Sequence, residues 1–278
     1  MKRWILVCIA LLPIVGGARA DDAVVKTDQM RAQLSADHGV AAPGKSLWVA
    51  LSFDIKPGWH TYWRTPGDAG EPITIQWTLP AGVSAGPIQW PTPERFNYSG
   101  IAGFGYTGHA TLLTELKIDP SVTAPAEILL KADVTWLSCS DVCIPEDGSF
   151  SLPLKIDAAG AHRDTAENPV ITAARKTLPR PAPWPVTATR SGNILTITAG
   201  PGVSRQTLKS AAYFPYDGAI ITNGANQDFH LRNGTLELKV ELRPKADKAS
   251  QVAGVLRLDQ ENSPAAAGYS FATPLLHP

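Results

Sequence analysis

The chain is a succession of short runs in which apolar and polar residues alternate, broken at brief intervals by glycine, proline, serine and aspartate. Residues 46–55, reading SLWVALSFDI, form the strongest run, and it stops at Lys56, Pro57 and Gly58. Alternation with a period of two puts one face of such a run in a core and the other towards solvent, the signature of a β-strand. Residues 24–34, 73–79, 110–118, 126–137 and 150–156 carry the same pattern, separated by turn signals such as Pro80 to Gly82 and Asp147 with Gly148. Twenty-four prolines and twenty-three glycines against two methionines fit short strands and many turns better than packed helices.

Residues 157–185 interrupt the pattern. Asn168 followed by Pro169 and VITAARKT predicts a helix N-cap, a proline at the first helical position and one short helix. Alternating Pro179, Pro181, Pro183 and Pro185 then predict a stiff, extended stretch. Strand patterns resume at 186–190, 194–199, 211–215, 218–222, 235–242 and 254–259, with a last one at 269–274. The predicted fold class is therefore all-β: two immunoglobulin-like sandwiches, residues 21–156 and 186–278, joined by a proline-rich linker with one short helix.

The first twenty residues stand apart. Met1, Lys2 and Arg3 precede an apolar run from Trp4 to Val15, which ends at Ala18, Arg19 and Ala20. A basic start, an apolar stretch and an A-x-A site predict a secretory signal peptide removed after Ala20, and Cys8 with it. The apolar run is too short for the ~30 Å of a bilayer core. No later segment is apolar and long enough to span one, so the expectation is an exported protein that is soluble after cleavage. Removing Lys2, Arg3 and Arg19 from 25 basic residues leaves 22 against 25 acidic ones. That balance gives no electrostatic footprint for nucleic acid.

The sequence holds no glycine-rich phosphate loop, no HExxH, no serine nucleophile elbow and no CxxC, and its histidines are scattered. No cofactor is expected. The chemistry concentrates in residues 136–145, reading WLSCSDVCIP, which contain Cys139 and Cys143, the two cysteines left after signal removal. Residues four apart in a strand are ~13 Å apart, whereas a disulfide needs Cα atoms within about 7 Å. If the two pair, Ser140, Asp141 and Val142 must turn, and serine and aspartate are suited to it. Three readings stay open: exchange chemistry, a structural staple and a Cu(I) site. A five-residue loop contributes only about 2 kcal/mol through chain entropy, against about 4.7 for a hundred-residue loop, so a staple would do more elsewhere. Copper would require a third ligand beside the two thiolates, and His60 or His109 is the candidate. Asp141 would disfavour a neighbouring thiolate by repulsion or serve as a turn residue.

Aromatic residues are dense before Cys139, and most of them, Trp48 and Trp77 among them, are expected in the core or on a sheet face. Two stretches differ. Residues 96–108, reading FNYSGIAGFGYTG, space their rings with glycine and polar residues, which predicts a mobile loop able to lie over a sulfur pair. Residues 57–68, reading PGWHTYWRTPGD, interleave polar groups and rings and predict a surface element.

Taken together, PGWHTYW at 57–63, PGD at 66–68, WPTPERF at 90–96, Gly105 with Tyr106, and WLSCSDVCIP at 136–145 resemble the N-terminal periplasmic domain of DsbD-type thiol:disulfide interchange proteins. The ScsB-like branch is the nearer one. The resemblance covers residues 25–156 well and runs more weakly through YFPY at 213–216 and Gly254 to Leu256. It implies a periplasmic, immunoglobulin-like domain whose Cys139 and Cys143 exchange electrons with a membrane-embedded relay and with periplasmic thioredoxin-fold proteins. It also implies an aromatic cap, here Phe104 and Tyr106 first, with Phe96 and Tyr98 behind them. His60, Tyr62, Trp136 and Asp141 complete the expected cap and partner-binding set. These residues include neither the family's membrane domain nor its thioredoxin-like domain, so a separately encoded relay is expected, with the second sandwich as spacer or docking surface.

Overall fold

The computed structural model describes residues 23–98, 100–158, 167–203, 207–244, 246, 249–261, 263 and 266–277. The segment read as a signal peptide lies outside them. Among the described residues no helix is long and apolar enough to cross a membrane.

Two facing sheets make the first sandwich. One runs β1 (Val24–Lys26), β2 (Met30–Ala36), β4 (Ser46–Ile55), β10 (His109–Ile118) and β7 (Val83–Ala85) in that spatial order. The other runs β3 (Val40–Ala41), β12 (Cys143–Ile156), β11 (Ala126–Cys139), β5 (His60–Gly67), β9 (Ile101–Thr107) and β8 (Glu94–Tyr98). β6 (Thr74–Thr78) pairs with the middle of β11, leaving the end of β11 to pair with β5 at Cys139 and His60. The period-two pattern sets the core. Leu47, Val49, Leu51 and Phe53 of β4 point inward, as do Leu130, Ala132, Val134 and Trp136 of β11. Trp136 meets Phe53 edge-to-face across the two sheets, with ring centroids 5.4 Å apart.

The predicted helix is α1 (Pro169–Thr177). Asn168 caps it, its side-chain oxygen accepting from Val170 N at 3.0 Å. Ile171 and Ala174, three residues apart and so on one helix face, bury themselves against Ala50 and Leu113 on the outer side of the first sheet. Arg175 stacks over Trp48 at 4.5 Å. The helix is thus bolted to the first sandwich rather than free in a linker.

The second unit runs β16 (Leu208–Pro215), β19 (Gln251–Gln260), β20 (Ala267–Leu276), β14 (Val186–Ser191), β15 (Ile194–Ala199), β18 (Thr235–Glu241) and β17 (Gln227–Arg232), with β13 (Arg180–Pro181) on β20. β20 pairs with β19 along most of its length and with β14 at Leu275 and Leu276, so one strand links the two layers. The ends of this path meet through Gln227. Its side-chain amide donates to Tyr213 O at 3.1 Å and accepts from Tyr213 N at 2.7 Å, replacing a missing strand partner. Residues 218–222, expected as a strand, form turns and one isolated bridge, whereas β17 was not foreseen.

The two sandwiches share a packed interface. Phe214 lies edge-on to Phe104 at 5.1 Å and to Trp63 at 6.1 Å. Arg64 stacks over Tyr216 at 4.5 Å, and Thr65 donates to Tyr216 O at 3.2 Å. Around these rings Asp68 accepts from Arg243 at 2.8 Å and from Asn223 at 3.0 Å. Residues 60–67, expected at the surface, are a largely buried strand, β5, because the second sandwich covers one end of it.

Candidate redox site

The site begins with strand register. Cys139 is the last residue of β11 and Cys143 the first of β12, and the two face each other as a cross-strand pair. Ser140, Asp141 and Val142 make the turn between them, with Ser140 N donating to Val142 O at 2.9 Å. The cysteines are joined as a disulfide with Cα atoms 4.1 Å apart. Their environments differ sharply: Cys139 is 1% exposed, while Cys143 is an exposed residue.

From this pair a stripe runs across the sheet. Cys139 pairs with His60, and His60 with Thr107 of β9. Directly opposed residues of antiparallel strands project to the same side. One face therefore holds His60, Tyr62, Thr107, Phe96 and Tyr98, since Tyr62 pairs with Gly105, Phe96 with Gly103, and Tyr98 with Ile101. Phe96 lies 4.2 Å from the His60 ring and 6.0 Å from that of Tyr62. The glycines opposite permit close approach of a ring and of a neighbouring strand. A Cβ on Gly103 would fall 2.0 Å from the Phe96 ring, and one on Gly105 would fall 1.9 Å from Thr61 O.

Polar contacts lead back to the sulfur. His60 Nε2 is 3.3 Å from the Tyr62 hydroxyl, which lies 3.9 Å from Cys143 Sγ. The Tyr98 hydroxyl donates to Asp141 Oδ1 at 2.9 Å, tying the β8–β9 hairpin to the cysteine turn. Burial holds His60 below the ordinary histidine range, with the Glu94 carboxylate pulling the other way. Burial likewise raises the Tyr62 phenol. The bond to Asp141, more than desolvation, raises that of Tyr98. Beside the stripe, Ile55, Pro57, Trp59, His60, Phe96 and Tyr98 line a mainly apolar cleft of about 470 Å³. Tyr98, Ile101 and Val142 are exposed apolar side chains of the hairpin tip and the cysteine turn.

The structure redistributes the expected site residues. Residues 94–98 and 101–107 pair as antiparallel strands rather than forming a loop, and alternation along them separates the rings expected to act together. Phe104 and Tyr106, placed first as cap residues, project to the face opposite Phe96 and Tyr98. Phe104 is fully buried and turned to Phe214. Tyr106 is 5% exposed and donates to Pro91 O at 2.9 Å. Neither lies over the sulfurs. Trp136 is a core residue whose indole N–H donates to Glu146 at 2.7 Å. Of the two candidate third ligands for Cu(I), His60 is the cross-strand neighbour of Cys139, whereas His109 sits on the other sheet, bonded to Asp54 at 2.8 Å and to Thr111 at 3.0 Å. Among the described residues no group of three or more His, Cys, Asp or Glu is placed to hold a metal ion.

Sequence reasoning missed Arg95, whose guanidinium donates to Asn223 O and Ala225 O, both at 2.7 Å, across the domain interface. Burial lowers its pKa while Asp68 raises it. The signal was present in the alternation of ERFNY at 94–98, which sets Arg95 and Phe96 on opposite faces. Val142 and Ile101 were also missed as exposed apolar neighbours of the turn.

Fold and site define a class: an all-β protein of two sandwiches, with a disulfide-closed hairpin walled by aromatic rings on the first. Residues 24–155 match the family described as thiol:disulfide interchange protein DsbD, N-terminal, and the first sandwich is a domain of that family. The N-terminal periplasmic domain of ScsB from Proteus mirabilis superposes with a TM-score of 0.65 at 18% identity, covering 91% of this chain and 97% of that one, so the fold extends through both sandwiches. The Salmonella enterica SafA pilin–SafB chaperone complex, at 11% identity over 89% of this chain and 98% of that one, reaches a TM-score of 0.27. The yeast GGA1 GAE domain, at 13% over 47% and 96%, reaches 0.28. Neither bears on the fold. No curated protein matches the chain.

Proposed function

We propose that this protein is a periplasmic thiol–disulfide exchange partner in which Cys143 meets the other protein and Cys139 resolves the mixed disulfide. The observation that carries the reading is the asymmetry of the pair, one sulfur-bearing residue buried and the other exposed on a turn. Membership of the DsbD N-terminal family supports exchange over a staple. The apolar side chains of Tyr98, Ile101 and Val142 supply a docking rim around the exposed turn.

In the reducing direction, the Cys143 thiolate attacks a disulfide of the partner, and one partner sulfur leaves as a thiolate. The Cys139 thiolate then attacks Cys143 Sγ, the second partner sulfur leaves, and the Cys139–Cys143 bond closes. Two electrons pass to the partner, and the two protons lost by the cysteines end on its thiols. Cross-strand pairing keeps Cys139 within reach throughout. A membrane-embedded relay of the DsbD or ScsB type restores the dithiol, and a periplasmic thioredoxin-fold protein is the recipient.

Single cysteine variants test this in periplasmic extract. Cys139→Ser leaves Cys143 free to attack with nothing to resolve it, and is expected to accumulate a mixed disulfide. Cys143→Ser, with its remaining sulfur buried, is expected to accumulate none. Capture by neither variant, or by Cys143→Ser alone, would overturn the assignment.

A further inference from the structure

We infer that Tyr62 and His60 form a proton relay that activates Cys143 in the reduced protein, with Tyr62 touching the sulfur and His60 acting through Tyr62. The inference rests on the exchange reading above and adds the group that makes the thiolate. The geometry is a chain of three groups: Cys143 Sγ to Tyr62 hydroxyl, 3.9 Å, and Tyr62 hydroxyl to His60 Nε2, 3.3 Å. A tyrosine hydroxyl carries one proton and can accept another bond, so it links a donor to an acceptor.

In the resting dithiol the Cys143 S–H donates to the Tyr62 oxygen, and the Tyr62 O–H donates to His60 Nε2. When the relay moves, the sulfur proton passes to the tyrosine oxygen and the tyrosine proton passes to Nε2. The products are a thiolate that accepts a bond from Tyr62 and an imidazolium that donates to it. No charge is lost, and no outside base is needed. As the partner's sulfur leaves, Tyr62 donates its hydroxyl proton to that sulfur and His60 returns a proton to the tyrosine oxygen, so His60 is neutral again.

The surroundings fit this task. Burial keeps His60 neutral near pH 7, ready to accept. Glu94 on β8 is the acid whose field favours the imidazolium once formed, and its carboxylate is held by Thr107 of β9. Phe96 presents its ring 4.2 Å from that of His60. Lys56, on the wall of the adjoining cleft, is the cation on that side. Asp141, in the turn, is engaged by the Tyr98 hydroxyl. Burial raises the Tyr62 phenol, so its proton stays on the oxygen except in transit.

The test needs no partner. The fully reduced protein is treated with iodoacetamide from pH 5 to 9, and the Cys143 adduct is followed by mass spectrometry. Tyr62→Phe, which keeps the ring and removes the link, is expected to raise the alkylation midpoint by about one pH unit, a roughly tenfold loss of thiolate near neutrality. His60→Phe is expected to do the same, and the double variant to add nothing. Tyr106→Phe, which removes a buried hydroxyl from the opposite face of the same sheet, serves as control and is expected to leave the midpoint in place. A midpoint unmoved by Tyr62→Phe and His60→Phe overturns the relay, as does an equal shift in Tyr106→Phe. A failed capture of mixed disulfides instead counts against exchange itself, so the two ideas fail separately.

Discussion

Arg95 and Phe96 are adjacent on β8 and serve opposite sides of the molecule: Arg95 bonds two carbonyls of the second sandwich, while Phe96 packs on the imidazole beside the cysteines. The strand that carries the aromatic wall of the site is therefore held from behind by the neighbouring domain. Asp68 strengthens the hold. It takes Arg243 and Asn223 from the second sandwich, and its own backbone N–H donates to Ala102 O on β9 at 2.9 Å.

Arg95→Ala should consequently loosen the hairpin as well as the interface. Two part-buried carbonyls lose a charged donor, a loss of about 2–3 kcal/mol. Thermal unfolding should shift down, and amide exchange across β8 and β9 should quicken. Tyr216→Leu, which weakens the same interface at Arg64 and Trp63, should lower stability without that local change. Equal exchange rates in the two variants would break the link between interface and hairpin.

Phe104→Ala removes a fully buried ring shared by the first core and Phe214. The expected cost is about 3–5 kcal/mol. Alkylation of reduced Cys143, measured where the variant remains folded, should keep its wild-type rate, because the ring faces away from the sulfurs. A several-fold acceleration would restore Phe104 to a covering role.

Stability should depend on pH through His60. Its folded pKa lies below the ordinary 6.5, so the unfolded chain binds the extra proton first. The contribution is complete above pH 6.5 and declines as pH falls from there through the folded value. Denaturant titrations of wild type and His60→Phe should diverge in that window, with the variant flatter. Parallel curves would mean that His60 titrates alike in both states.

Val142 is 59% exposed in the turn beside Cys143. If it forms part of the docking rim, Val142→Ser should reduce mixed-disulfide capture by Cys139→Ser about fivefold, the effect of losing ~1 kcal/mol of contact. Reduction of the intramolecular bond by dithiothreitol, which needs no docking, should be unchanged. Undiminished capture would exclude Val142 from the contact.

The strands and the cysteine turn were legible because their causes are local: alternation, turn residues and a four-residue spacing between cysteines. The paired strands at 94–98 and 101–107 were not, because their glycines read as loop residues. Their cause is non-local, since Gly103 and Gly105 are small to admit the Phe96 ring and the Thr61 carbonyl on neighbouring strands. The burial of residues 60–67 was hidden for the same reason. Trp63, Arg64 and Thr65 carry mixed polarity that looks like surface until Phe214 and Tyr216 arrive from 150 residues downstream. The difference in exposure between Cys139 and Cys143 follows from strand order, since Cys139 lies between Cys143 and His60 whereas β12 meets β3 only at its far end, and no spacing encodes that. The motif residues that signal the family also proved to have two employments, His60 and Phe96 beside the sulfurs, Asp68 and Arg95 at the domain seam.

Gln227 has a consequence for how this molecule meets others. A peripheral strand with open N–H and C=O groups invites a foreign chain to extend the sheet. At Tyr213 both groups are already taken by a single carboxamide from within the same chain. At that position the margin offers no open backbone pair to an added strand.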